Sequence, residues 1–157
     1  MHTRKHFAVG LIGAILAAVL NITASSRAAG EGRINWYGYE EGMKLAQSRH
    51  QKIFLLFYAD WCQVCKRMDR TTFASDAVQA YLNENFIPIR VDAEKAPQTA
   101  TTYGVKGLPS SWFIDENGER ISHLPGYVSP DNLLYLLKYI HTGSYLKVSF
   151  DTFLKTL

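Results

Sequence analysis

The chain has 157 residues, 47% of them hydrophobic and 20% charged, with 17 basic against 14 acidic residues and two cysteines. That is enough for one domain with its own core, and there is no internal repeat, low-complexity tract or interdomain linker. Arg4, Lys5 and Arg27 are the only charged residues among the first 28, so the remainder carries 14 basic against 14 acidic residues; the formal +3 therefore gives no reason to expect nucleic acid or an anionic membrane surface as partner.

The first 28 residues read as a signal peptide. A basic start through His6, an apolar run from Phe7 to Leu20 and small residues around Ser26-Arg27-Ala28 are its three parts. The run is shorter than the roughly 20 residues that cross a bilayer, so cleavage is expected near Ala28, with an uncleaved membrane anchor as the alternative. No cysteine follows the run, which argues against a lipid-modified N-terminus. Residues 29–157 then form the mature domain, in an oxidising compartment where disulfides persist.

Ile34-Asn35-Trp36 reads as a short first strand. From Tyr39 to Arg49, Tyr39, Met43 and Ala46 recur at helical spacing. Lys52 to Tyr58 is a near-continuous apolar run, as in a central strand buried on both faces. Helix is expected from Cys62 to Arg70 and again from Asp76 to Asn85, with Ser75 or Asp76 as cap. Phe86 to Val91 completes a strand–helix–strand crossover with parallel strands. A short helix from Pro97 to Tyr103 follows, then strands Ser111–Asp115 and Arg120–Leu124 about the hairpin signal Asn117-Gly118. Pro130 suits the first turn of a helix that runs through Leu133, Leu137 and Ile140 to Gly143, and a terminal helix is expected within 149–157.

The two cysteines stand in Tyr58-Ala59-Asp60-Trp61-Cys62-Gln63-Val64-Cys65-Lys66, between the apolar strand and the helix after it. A cysteine at a helix N-terminus has its thiolate stabilised by the helix dipole, and the thiolate is the form that attacks disulfides. A second cysteine one turn on can close a small, reversible disulfide. The alternatives are a structural staple, which a loop this small serves poorly, and a metal carrier. Zinc needs about four ligands in a structural site, and His50, His123 and His141 have no motif spacing to the pair; copper transfer is a further reading. Haem attachment needs a histidine where Lys66 stands.

These residues, together with Thr72-Phe73, Asp76-Ala77-Val78-Gln79, Gly107-Leu108-Pro109, Asp115-Glu116-Asn117-Gly118 and Pro125-Gly126-Tyr127, resemble the thioredoxin superfamily. The likeness is to periplasmic thioredoxin-like proteins, including the C-terminal domain of DsbD-type carriers and SoxW-like thioredoxins, and it covers about residues 36–140. It implies an α/β thioredoxin fold, a central mixed β-sheet flanked by helices on both faces, with a helical extension over about 144–157. It implies a cis bond at Pro109, beside the redox pair, with the backbone of Leu108 presented to an extended substrate segment next to Cys62. Trp61 is expected to pack beside the pair and limit solvent access to Cys65, with contact to protein substrates as a second role, and Asp60 to lie at the surface.

One departure stands out. Such enzymes carry a buried aspartate six residues before the first cysteine, where this chain has Leu56. Asp69, four residues after Cys65 on the same helix face, is the candidate replacement as proton acceptor, at a position where the DsbD domain has glutamate; the alternative is a solvated or helix-pairing acid. The resemblance implies thiol-disulfide exchange by Cys62 and Cys65 with no cofactor beyond that couple. It also implies protein thiol or disulfide substrates and a membrane thiol carrier of DsbD or CcdA type as electron donor. Gln63-Val64 offers no cation, which points to a potential nearer the reducing end and so to a disulfide reductase, with a disulfide oxidase or isomerase as the alternative; the signal segment places it in the periplasm, and a monomer is expected.

Overall fold

A computed structural model describes residues 33–157; the expected signal segment lies outside them. The apolar run Ile53–Tyr58 forms β1, buried along nearly its whole length because it has a neighbour on each edge and a layer on each face. Ile87–Asp92 (β2) runs parallel to it, with Leu56 opposite Arg90, and Ser110–Ile114 (β3) runs antiparallel on the other side. Arg120–Pro125 (β4) closes the sheet order β2-β1-β3-β4 as a largely solvated edge.

Alternate residues of β1 feed two cores, as the twofold period of a strand demands. Phe54 and Leu56, with Phe113 of β3, meet Met68, Val78, Leu82, Leu133, Leu137 and Ile140. These come from the helices Gln63–Thr71 (α2), Asp76–Asn85 (α3) and Pro130–His141 (α5). Ile53, Leu55 and Phe57, with Ile87, Ile89 and Val91 of β2, meet Ala46, Ala100 and Tyr103 on the other face. That layer holds the helix Tyr39–Arg49 (α1) and the short helix Pro97–Thr102 (α4). A 3₁₀ turn at Ser144–Leu146 and the helix Phe150–Leu154 (α6) follow α5. Phe150 and Phe153 pack on Tyr139, with ring centroids 5.3 Å away in each case. No helix among the described residues is long and apolar enough to cross a membrane.

One local expectation needs correction, and two gain detail. The segment 34–36 is not a strand; only Tyr37 bridges β2, at Ile89, while Trp36 turns inward and packs edge-on against Phe73 at 5.2 Å. Ser75 is the N-cap of α3 but makes no side-chain capping bond. The hairpin expected about Asn117-Gly118 is present, joining β3 to β4 through residues 115–119. Asp115 Oδ1 accepts the backbone N–H groups of Asn117 and Glu119, and Gly118 takes φ 88°, a left-handed conformation that favours glycine.

Candidate active site: a disulfide at a helix N-terminus

β1 ends at Tyr58, and the chain turns through the Cys62 N–H, which donates to the Ala59 carbonyl at 3.1 Å. Cys62 is the N-cap of α2. Its extended backbone lets Sγ accept the Cys65 N–H at 3.1 Å, one of the donors that every helix start leaves without a partner. Cys62 and Cys65 are joined as a disulfide with Cα atoms 5.3 Å apart. Both are buried, at 3% and 4% exposure. With no acid in the first turn of α2, opening the disulfide would leave a thiolate on Cys62 facing an N–H donor and the positive helix end.

Tyr58 and Leu108 are the half-buried apolar side chains packed on the pair. Trp61 is 63% exposed, and its Nε1 donates to Glu94 Oε1 at 2.8 Å. The indole thus stands up from the surface, held by a polar bond from the turn after β2. Asp92 organises that turn. Its Oδ1 accepts the Glu94 N–H at 3.0 Å, and its Oδ2 lies 2.9 Å from Lys95 Nζ, which also pairs with Asp60 at 3.6 Å. The Lys95 hydrogen bond, helped by the backbone donors of Glu94 and Lys95, holds the Asp92 carboxyl below its ordinary 3.8, and the same contacts raise Lys95.

The Leu108–Pro109 peptide bond is cis. The Pro109 carbonyl accepts the Gly126 N–H at 2.8 Å, tying this loop to the end of β4. Leu108 stands between two grooves of about 350 and 370 Å³. The first runs toward His123, whose ring stacks on Trp112 and whose Nε2 lies 2.9 Å from Ser110 Oγ; the second contains Trp61 and Glu94.

Asp69 lies one turn beyond Cys65 and is engaged from across the fold. Arg90 Nη1 and Nη2 donate to its two carboxylate oxygens at 3.0 and 2.9 Å. The guanidinium lies 4.0 Å from the centroid of Tyr58, the ring that packs on the cysteines. Leu56, in register with Arg90, is buried among Phe54 and Met68. Arg90, Tyr58 and Glu94 were not read as site residues from the sequence. The available signal was Arg90 itself, a guanidinium set between the apolar residues Ile89 and Val91.

A thioredoxin-like domain family matches residues 39–141. The thiol:disulfide interchange proteins DsbD of Photorhabdus laumondii and Actinobacillus pleuropneumoniae are 32% and 33% identical over 90 and 97 residues, 55% and 58% of this chain. The matches span only 15% and 16% of those relatives' length. Among solved structures, a thioredoxin from Thermus thermophilus superposes with TM-score 0.63 at 24% identity, over 68% of this chain and 86% of that one. The oxidised DsbD C-terminal domain of Neisseria meningitidis does so with TM-score 0.54 at 29% identity, over 63% of this chain and 90% of that one. The sheet with helices on both faces is the thioredoxin fold, and its helix-capping disulfide has the chemistry of thiol-disulfide exchange. The chain therefore belongs to the thioredoxin-like family and is a thiol-disulfide oxidoreductase.

Proposed function

We propose that this chain is an exported, periplasmic disulfide reductase that works as a monomer on protein substrates and carries no cofactor beyond Cys62–Cys65. The Cys62 thiolate attacks one sulfur of a substrate disulfide, forming a mixed disulfide and releasing the other sulfur as a thiolate. The Cys65 thiolate then attacks Cys62 Sγ, releasing the second substrate thiolate and leaving the Cys62–Cys65 disulfide. The substrate gains two electrons, and two protons from water complete its thiols. A dithiol donor, in this reading a membrane thiol carrier of DsbD or CcdA type, returns two electrons to the pair.

The observation that carries the proposal is the Cys65 N–H donating to Cys62 Sγ at the start of α2, since it favours charge on Cys62 and so names the attacking sulfur. Leu108 and Pro109 present backbone to an extended substrate, and Trp61 forms a wall of the adjoining groove. Asp69 is the carboxylate proposed to take the Cys65 proton; Arg90 fixes its position, and each oxygen keeps a second lone pair. The test is a redox titration of the purified domain against glutathione or dithiothreitol. A midpoint near −270 mV supports the reductase, whereas one near −120 mV makes the protein an oxidase.

A further inference from the structure

Charge around the disulfide is distributed unevenly. Lys66 and Arg67 follow Cys65 directly, and with Arg70 they occupy the exposed side of α2. The one acid of this helix, Asp69, is turned inward and bound at both oxygens by Arg90. Among the described residues, Lys66, Arg67, Arg70 and Lys106 make no ion pair, whereas Asp60 and Asp92 at the Trp61 corner share Lys95. Glu94 there accepts the indole N–H. The cations thus have no counter-charge in contact with them among the described residues.

Their placement connects them to substrate docking. Lys106 lines both grooves beside Leu108. The Arg67 guanidinium carbon lies over the Tyr127 ring, 4.4 Å from its centroid, and Tyr127 follows Gly126, whose N–H holds the Pro109 carbonyl. An arginine stacked in this way keeps its N–H groups at the edge of the plane, where a carboxylate can be bound. The Tyr127 hydroxyl is in turn 3.1 Å from Thr71 Oγ1, which fixes the ring to the end of α2.

We propose that this rim selects protein disulfides whose cysteine is flanked by acidic residues. Carboxylates on an extended segment crossing Leu108 meet Lys106 and the Arg67–Tyr127 stack while the substrate sulfur approaches Cys62. The proposal rests on Cys62 being the attacking thiol. The two corners also differ in sign, because Asp60, Asp92 and Glu94 outnumber Lys95 and Lys106 on the Trp61 side; this disfavours a segment laid down in the opposite sense.

The test uses the reduced protein and peptides bearing one cysteine as a mixed disulfide with a chromogenic thiol, flanked by two glutamates, two serines or two lysines. Rates are divided by those of dithiothreitol with the same peptide, which removes the peptides' intrinsic reactivity. The glutamate peptide should react about fivefold faster than the lysine peptide at low ionic strength, with the ratio approaching one in about 0.5 M salt. R67E/K106E should invert the ratio, and the ratio is insensitive to any change those substitutions make in the Cys62 thiolate. Equal rates, or faster reaction of the lysine peptide with the native protein, would overturn the charge selection and leave the exchange reaction standing. Failure of all three peptides, including the serine one, would instead overturn the assignment of Cys62 and the selection with it.

Discussion

Arg90 is the residue on which the surroundings of the redox pair turn. It makes two hydrogen bonds to Asp69 and stacks on Tyr58, so one side chain ties β2 to the helix and to the ring beside the cysteines. Arg90→Met removes both contacts, and since the pair is partly solvated the loss should be about 1–2 kcal/mol in urea unfolding. Arg90→Lys should recover little, because an ammonium cannot reproduce the paired donors. If Asp69 accepts the Cys65 proton, Asp69→Asn should lower the Cys65 thiol pKa, because a like charge is removed, and yet slow decay of the mixed disulfide; loss of stability with unchanged thiol titration would reduce Asp69 to a strut. Asp92 governs the opposite corner. Its folded carboxyl lies below the ordinary 3.8, so the Lys95 contact stabilises the fold fully above that value and is lost as the pH falls through the lowered one. Asp92→Asn should therefore flatten this part of the acid limb of the stability curve. The fluorescence of Trp61, held by Glu94 from the same turn, reports the change directly.

The helix α1 meets β2 through a glycine. A Cβ at Gly42 would run into the Ile89 side chain and come within 3.3 Å of Tyr37 Cβ, so the helix lies close to the sheet only while that position is bare. Gly42→Ala gains up to about 1 kcal/mol of helix propensity but forces Ile89 aside in a filled core; a net loss of about 1–2 kcal/mol is expected in thermal or urea unfolding. A gain in stability would show that α1 can back away from the sheet. The same helix shows what a linear pattern can reveal. Tyr39, Met43 and Ala46 mark its span because their spacing follows the helix period, and the apolar run Ile53–Tyr58 marks the central strand because both its faces are covered. Ile34 and Trp36 have strand-like character, yet their burial comes from packing against Phe54 and Phe73, not from pairing, and composition does not distinguish the two. The cysteines were legible as a unit because spacing and helix start are local. Arg90 with Asp69, and Glu94 with Trp61, join positions 21 and 33 residues apart, so they required the fold. Trp61 illustrates the consequence: its place beside the motif is local, but its bond to Glu94 in the turn after β2 is visible only in the fold.

Across the whole molecule, redox chemistry and folding stability are one equilibrium seen from two sides. A protein whose reduced form is unusually stable is a strong oxidant, and one whose oxidised form is the more stable is a reductant; about 30 mV corresponds to 1.4 kcal/mol for this two-electron couple. The span from about −120 to about −270 mV is thus worth roughly 7 kcal/mol, comparable to the total stability of a domain. Two features of the fold favour the oxidised form here. Both cysteines are buried, which penalises thiolate charge on reduction, and the bond that offsets this at Cys62 comes from a single backbone N–H. Gln63 and Val64 add no cation between the sulfurs, and Lys66 and Arg67 lie out in solvent where water and salt screen them. The screening that leaves these cations weak toward the buried sulfur also leaves them available to an incoming partner. Reduction of Cys62–Cys65 should therefore lower the urea midpoint of the domain without changing its fold, the loss being measured by unfolding the protein with and without excess dithiothreitol at constant pH. A reduced form more stable than the oxidised one would reverse the proposed direction of electron flow while leaving the exchange chemistry intact.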